Sequence, residues 1–156
     1  MVWAGSFDSR GNPVLQIRIA AGADVSAGVE VTAIIDTGYT GFVLLPAQFI
    51  VSLGLRVQGT TVVTLADESQ CICFVAEAYV GLDEKVIKQG IVTLEQNSKE
   101  ILIGMGFLRQ FKLALTMTSK TVLLIDESAL DDLRRKATTS NEPEPPSALS
   151  VSVRQN

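Results

Sequence analysis

The stretch Ile34-Ile35-Asp36-Thr37-Gly38 is the part of this 156-residue chain on which the fold assignment rests. It completes a run from Val29 to Ile35 that is rich in β-branched residues and predicts a buried strand. Such a strand delivers Asp36 into a loop. There, Thr37 offers a hydroxyl, and Gly38 lets backbone N–H groups approach a carboxylate without a Cβ in the way. The spacing suits a carboxylate that is held in place by its own loop.

The chain contains no histidine. This absence excludes Ser-His-Asp and Cys-His nucleophile arrangements, histidine metal sites and imidazole proton shuttles. An amide-cleaving enzyme without these groups can use two carboxylates that share one proton. Because like charges close together cannot both ionise cheaply, one pKa rises and the other falls, and the pair provides both an acid and a base.

Composition and charge limit the possible partners. The chain is 47% apolar and 19% charged, which is typical of a folded protein, and its length predicts one domain. A net charge of -4 supplies no positive field that could gather phosphates, so we predict no nucleic-acid partner. The sequence lacks both a basic leader followed by an apolar segment and an apolar run long enough to span a bilayer. We therefore predict a cytoplasmic protein with no membrane partner.

The two cysteines, Cys71 and Cys73, are separated by one residue, so on a strand both side chains point to one face. A disulfide between them would require strained geometry, and a metal site would need further ligands. We interpret them as small packed or half-exposed thiols. The sequence thus predicts neither a metal nor a cofactor.

The apolar pattern predicts a mainly β domain over residues 1–126. Pro46 at a first helical position and Gly54 past the end predict a short helix over 47–53, and one or two helical turns are predicted over 107–111. The polar segment 66–69 predicts the tip of a hairpin. Strands are predicted at residues 12–20, 29–35, 42–45, 60–65, 70–79, 86–94, 101–103, 112–116 and 121–125.

The C-terminal part of the chain differs in character. Residues 127–136 carry acids near their start and basic residues at their end, a charge order that favours a helix. Residues 137–156 hold three of the five prolines and few large apolar groups, so we predict a disordered tail.

Two blocks of sequence resemble the signature elements of the retropepsin-like aspartic proteases. They are residues 33–42, Ala-Ile-Ile-Asp-Thr-Gly-Tyr-Thr-Gly-Phe, and residues 101–109, Ile-Leu-Ile-Gly-Met-Gly-Phe-Leu-Arg. In that family the first block is the catalytic loop, and the second runs beneath it before a short helix. The resemblance covers about residues 12–126 and includes a hairpin, 60–74, where the family places its substrate-covering flap. Among members, the chain is most similar to small bacterial enzymes and to the protease domain of ubiquitin-shuttle proteins.

The resemblance implies a single acid-protease β-barrel with one or two short helices, and an aspartic endopeptidase activity on polypeptides. Because Asp-Thr-Gly occurs once, a two-carboxylate mechanism requires a homodimer in which each copy contributes Asp36. In this family such pairs share one proton. The resemblance implies that Thr37 braces the two loops across the dimer axis and that Gly38 binds substrate backbone. The candidate substrate-binding residues are Leu65, Ala66, Asp67 and Ile103.

The chain departs from the family pattern at three places. Tyr39 follows the glycine where Ala or Ser is usual, so the hydrogen bond that serine gives the carboxylate must come from Thr40 or be absent. Gly106 stands where relatives often have Asp or Asn, which would remove a helix N-cap worth about 1 kcal/mol. The flap tip lacks glycines, and its Asp67 and Glu68 would repel an acidic substrate.

Two other functions stay open at this point. A dimeric peptide-binding or assembly module could keep the same fold without catalysis, because fold alone does not imply activity. A β-rich structural domain could carry the tripeptide by chance. Within the chain, Asp126 is the competing carboxylate because it also ends an apolar run, although its place before residues 127–136 favours a helix cap.

Overall fold

A computed structural model of the chain describes residues 1–65, 67–126, 131, 134 and 135. These residues form a mainly β fold with two short helices, as predicted. The helices are α1 (Phe49–Leu53) and α2 (Met105–Leu108). The strands are β1 (Val2–Phe7), β2 (Pro13–Ala20), β3 (Val29–Ile35), β4 (Val43–Pro46), β5 (Val57–Thr64), β6 (Gln70–Gly81), β7 (Ile87–Glu95), β8 (Leu102–Ile103), β9 (Lys112–Thr116) and β10 (Thr121–Ile125).

Six strands close into a barrel. They follow the order β2-β3-β8-β4-β7-β6, and β6 pairs back to β2. The pairs β3–β8 and β4–β7 are parallel, and the other pairs of the ring are antiparallel. Beyond the ring, β5 extends from β6, whereas β1, β10 and β9 extend from β2.

The barrel encloses the apolar core. Inward positions along the strands alternate with exposed ones, as in β2, where Gln16 is exposed between buried Leu15 and Ile17. Each fully buried aliphatic or aromatic side chain stabilises the fold by about 1.5–3 kcal/mol. The largest of these are Phe107, Ile17, Ile19, Leu45, Leu94, Ile103 and Leu124.

Strand β1 was not predicted from the sequence. Its partly buried positions are Trp3, Gly5 and Phe7, and of these only Trp3 and Phe7 have large side chains. A Cβ on Gly5 would lie 2.2 Å from the carbonyl oxygen of Val14, so the close approach of β1 to β2 requires glycine. The same glycine weakens the two-residue hydrophobic period that would have revealed the strand.

Both predicted helices are shifted in the structure. Pro46 is the last residue of β4, opposite Glu95, rather than the first residue of a helix, and α1 begins at Phe49. The predicted end is confirmed: Gly54 adopts a φ of 65°, and its N–H donates to the carbonyls of the last turn. The second helix covers 105–108 instead of 107–111, because Phe107 and Leu108 pack into the core from that turn.

The predicted helix at 127–136 and the predicted tail at 137–156 lie outside the described residues, apart from residues 131, 134 and 135, which are helical. In the part of the chain that the structure describes, no helix has both the length and the apolar character needed to cross a membrane.

Candidate active site

The loop of residues 36–42 connects β3 to β4, and β8 lies between these two strands. Ile34 is paired with Leu102 in parallel, and Val43 is paired with Ile103 in antiparallel orientation. The ladder continues into the loop, because the N–H of Asp36 donates to the carbonyl oxygen of Ile103 at 3.0 Å. The backbone of Asp36 is thus fixed by a strand from a distant part of the sequence.

The Asp36 carboxylate is oriented by its own loop. Its Oδ1 accepts a hydrogen bond from the Gly38 N–H at 2.8 Å, and a Cβ on Gly38 would lie 3.2 Å from the same oxygen. The side chain is half-buried in the single chain, and Thr37 and Gly38 are exposed. Among the described residues, neither the Thr37 nor the Thr40 hydroxyl bonds to this carboxylate, so the hydrogen bond expected where serine is usual is absent from the single chain.

The start of α2 supports the loop from below. The N–H groups of residues 104, 105 and 106 donate to the carbonyl oxygens of residues 42, 39 and 41 at 3.0, 2.8 and 2.9 Å. A Cβ on Gly104 would lie 2.3 Å from the Gly41 oxygen, and one on Gly106 would lie 2.9 Å from it. The expectation of a lost cap at Gly106 is therefore wrong. The cap position is Gly104, and Gly106 lies inside the helix, where it lets the helix approach the loop.

Tyr39 turns its ring back over the loop. Its hydroxyl donates to Oγ1 of Thr93 in β7 at 2.8 Å. Burial raises the pKa of the Tyr39 phenol, and the hydrogen bond to Thr93 opposes that shift. In the sequence, Tyr39 stands out only as a departure from the retropepsin-like pattern, and no local pattern points to Thr93.

A cleft of about 870 Å³ opens between the loop and the hairpin of β5 and β6. This volume is within the range of clefts that bury most of the surface of a bound small molecule. Asp36 is the only charged residue among the described residues that line it. The others are Gly38, Tyr39, Thr40, Gly41, Leu44, Thr61, Val62, Val63, Thr64, Leu65, Thr93 and Leu102.

The predicted substrate-binding residues occupy different places. Leu65 lines the cleft, and Asp67 is exposed at the hairpin tip. There, hydrogen bonds from Ser69 lower the pKa of the Asp67 carboxyl. Ile103 points into the core, and Leu102 lines the cleft instead, because successive residues of a strand face opposite sides. Ala66 lies outside the described residues.

The cysteines share one face of β6, with their Sγ atoms 3.4 Å apart. Cys73 is buried and Cys71 is partly exposed. Burial, followed by the neighbouring Cys71 thiol, raises the pKa of the Cys73 thiol. Their strand partners, Thr61 and Val63, line the cleft.

No family model matches the sequence, and no curated protein matches it. The structure is similar to the crystal structure of a retropepsin-like aspartic protease from Rickettsia conorii. The two chains are 13% identical with a TM-score of 0.55, and the match covers 80% of this chain and 90% of the other. At this identity the likeness shows the fold, which is retropepsin-like.

Proposed function

We propose that this chain is one subunit of a homodimeric aspartic endopeptidase, with residues 1–126 as the protease domain. One observation carries the proposal: the half-buried Asp36 carboxylate is held by the Gly38 N–H and is the only charge among the described residues that line a peptide-sized cleft. The retropepsin-like fold supports the same reading. The cytoplasmic location predicted from the sequence belongs to this proposal.

The chemistry follows from pairing Asp36 with its copy in a second subunit. The two carboxylates share one proton, so one is ionised and the other is protonated. The ionised group takes a proton from a water molecule, which attacks the peptide carbonyl carbon, and the protonated group donates to the carbonyl oxygen. The newly protonated carboxyl group then donates its proton to the amide nitrogen, and the other carboxylate takes a proton from a hydroxyl of the gem-diol intermediate. The C–N bond breaks to give an acid and an amine, and the pair again holds one proton.

Neighbouring residues have supporting roles in this proposal. Thr37 braces the two loops across the two-fold axis, and its exposure in the single chain suits a residue at such an interface. Gly38 uses its N–H for Asp36, so its carbonyl oxygen is the group left to accept a hydrogen bond from substrate backbone. Leu65 and the unplaced Ala66 would contact substrate from the hairpin, and Asp67 would discourage acidic substrates. Leu44 and Leu102 take the place proposed from sequence for Ile103.

Cleavage of a fluorogenic peptide library from acid to neutral pH tests the proposal. The expected result is cleavage by the wild-type protein and its loss in Asp36→Asn and in the presence of a statine-type transition-state analogue. Asp24→Asn is the matched control, because Asp24 is an exposed cap of the turn at Val25–Ala27 and Asn can serve the same role. Cleavage that persists in Asp36→Asn would refute the catalytic role.

A non-catalytic peptide-binding module is the second candidate. The observation that favours it is the sparse support of Asp36, which accepts one hydrogen bond in the single chain within the described residues. This candidate predicts that a folded wild-type dimer binds peptides without cleaving them. It also predicts that Asp36→Asn binds them equally well in a fluorescence-anisotropy titration.

A further inference from the structure

Tyr39 is held from three directions, three residues after Asp36. Its N–H donates to the Asp36 carbonyl oxygen at 3.3 Å, and its own carbonyl accepts from the Met105 N–H at 2.8 Å. Its hydroxyl donates to Thr93 Oγ1 at 2.8 Å. One residue therefore connects the turn that carries Asp36 to both α2 and β7.

Two glycines make the space that the Tyr39 ring fills. A Cβ on Gly41 would lie 2.2 Å from the phenolic oxygen, and a Cβ on Gly104 would lie 2.4 Å from Cδ1 of the ring. A side chain at either position would push the ring out of this space. The ring is thus packed between the loop and the start of α2, which fixes the direction of its hydroxyl.

The partner hydroxyl belongs to the wall of the barrel. Thr93 is 7% exposed and is the only buried polar residue of the part of the chain that the structure describes. Its neighbours Val92 and Leu94 are fully buried. A buried hydroxyl that loses its partner costs stability, so this hydrogen bond is strongly favoured. Because burial raises the pKa of the Tyr39 phenol, the hydroxyl keeps the proton that it donates.

We propose that Tyr39 is a positioning residue for Asp36. Its hydrogen bond to Thr93 holds the loop so that the Asp36 carboxylate of one subunit meets that of the second copy. Thr37 and Gly38 are exposed, so Tyr39 is the first residue after Asp36 whose side chain anchors the loop to the barrel. The inference rests on the proposed function, in which a displacement of about 1 Å in the reacting groups can lower the rate a hundredfold.

The test compares Tyr39→Phe, Thr93→Val and Thr93→Ser in peptide cleavage. The first two should lower kcat by about tenfold to a hundredfold and change KM by no more than about twofold. Their double variant should be no slower than either alone, because both remove the same hydrogen bond. Thr93→Ser keeps the hydroxyl and should retain wild-type kcat.

The pH profile of kcat distinguishes a positioning role of this hydrogen bond from a general effect on protein stability. Loosened carboxylates interact less, so the two limbs of the kcat profile should move towards each other in Tyr39→Phe and Thr93→Val. Tyr79→Phe is the matched control, because it removes the hydroxyl of the only other tyrosine, which is paired with Ala20 and Gln89 away from the cleft. Thermal melting and gel filtration would establish that each variant is a folded dimer at the assay temperature.

If Tyr39→Phe and Thr93→Val keep the wild-type kcat and the wild-type pH profile, the inference about Tyr39 is overturned and the proposed function still stands. An equal loss in Thr93→Ser and Thr93→Val would also overturn it, as would a loss that follows unfolding with unchanged pH limbs. If neither the wild type nor Tyr79→Phe cleaves any peptide, the proposed function fails, and the inference fails with it.

Discussion

At the scale of single residues, the cysteine pair shows how one strand gives two like side chains different surroundings. Cys71 and Cys73 lie on the same face of β6, but only Cys73 is buried. Burial and the adjacent thiol raise the pKa of the Cys73 thiol well above its ordinary value. Since the thiolate is the form that reacts, the two positions should differ in reactivity.

Alkylation of the folded protein at neutral pH should therefore modify Cys71 and leave Cys73 unmodified. The expected order follows from exposure, which controls access of the reagent, and from the raised pKa of Cys73, which suppresses its thiolate. Iodoacetamide labelling read by peptide mass spectrometry checks this. Urea-unfolded protein, in which both sites should react, is the control. Equal labelling in the folded state would contradict the buried position of Cys73.

The sequence predicted some contacts of the candidate site and missed others for a physical reason. The hydrogen bond from the Gly38 N–H to the Asp36 carboxylate lies within three consecutive residues, so a local motif predicts it. Thr93 meets Tyr39 only after β7 has taken its place beside β4, and no local pattern contains that contact. The sequence predicts Ile103 in the cleft, whereas the structure buries it. Side chains of a strand alternate between two faces, but the sequence of this short strand does not reveal which face points inward.

At the scale of elements, the loop and α2 form one unit joined by three backbone hydrogen bonds. Their close approach requires Gly104 and Gly106, because a Cβ at either position would meet the Gly41 carbonyl. The glycine at 106 therefore causes no loss of a cap, because the cap position is Gly104. It lets the helix reach the loop.

Gly106→Asp should destabilise the protein. The new Cβ would lie 2.9 Å from the Gly41 carbonyl and 3.0 Å from the Phe42 nitrogen, and these are backbone atoms that cannot rotate away. We expect a loss of about 1–3 kcal/mol in the free energy of unfolding, measured by urea titration. Gly22→Asp is the control, because a Cβ at Gly22 meets nothing within 4 Å. Equal midpoints for the two variants would argue against tight packing of α2 on the loop.

Element prediction succeeded where periodicity was strong. The bounds of β3, β9 and β10 agree with those predicted, because β-branched and apolar residues fill these strands. Pro46 misled the helix prediction because a proline also suits the end of a strand, where its missing N–H leaves no gap in the ladder. Pairing with β7 extends through Pro46, and the Ala47 N–H also donates to the Glu95 carbonyl oxygen, so the helix begins only at Phe49.

At the scale of the whole molecule, the barrel contributes a single Asp-Thr-Gly loop. The proposed chemistry needs two, so activity belongs to the assembled pair and not to the chain. A two-fold interface makes the contribution of each copy identical.

Mixed dimers give a direct test of shared catalysis. When wild-type and Asp36→Asn chains are mixed in equal amounts and allowed to re-pair, random pairing leaves about a quarter of the dimers with two intact carboxylates. Specific activity per total dimer should fall to that fraction, measured with a cleavable fluorogenic peptide. A mixture with wild-type and Asp24→Asn chains should keep full activity. A fall to only one half, in a mixture whose heterodimers are detected by native mass spectrometry, would show that each subunit works alone.

The position of β8 between β3 and β4 also bears on how the protein is made. A ribosome releases Asp36 and its motif long before it releases Leu102 and Ile103, which pair with the strands on both sides of the loop. Domains are synthesised from the N terminus, and contacts between distant residues form late. A nascent chain that ends before Leu102 therefore carries the motif without the strand that fixes its backbone, so the site that we propose can form only late in synthesis.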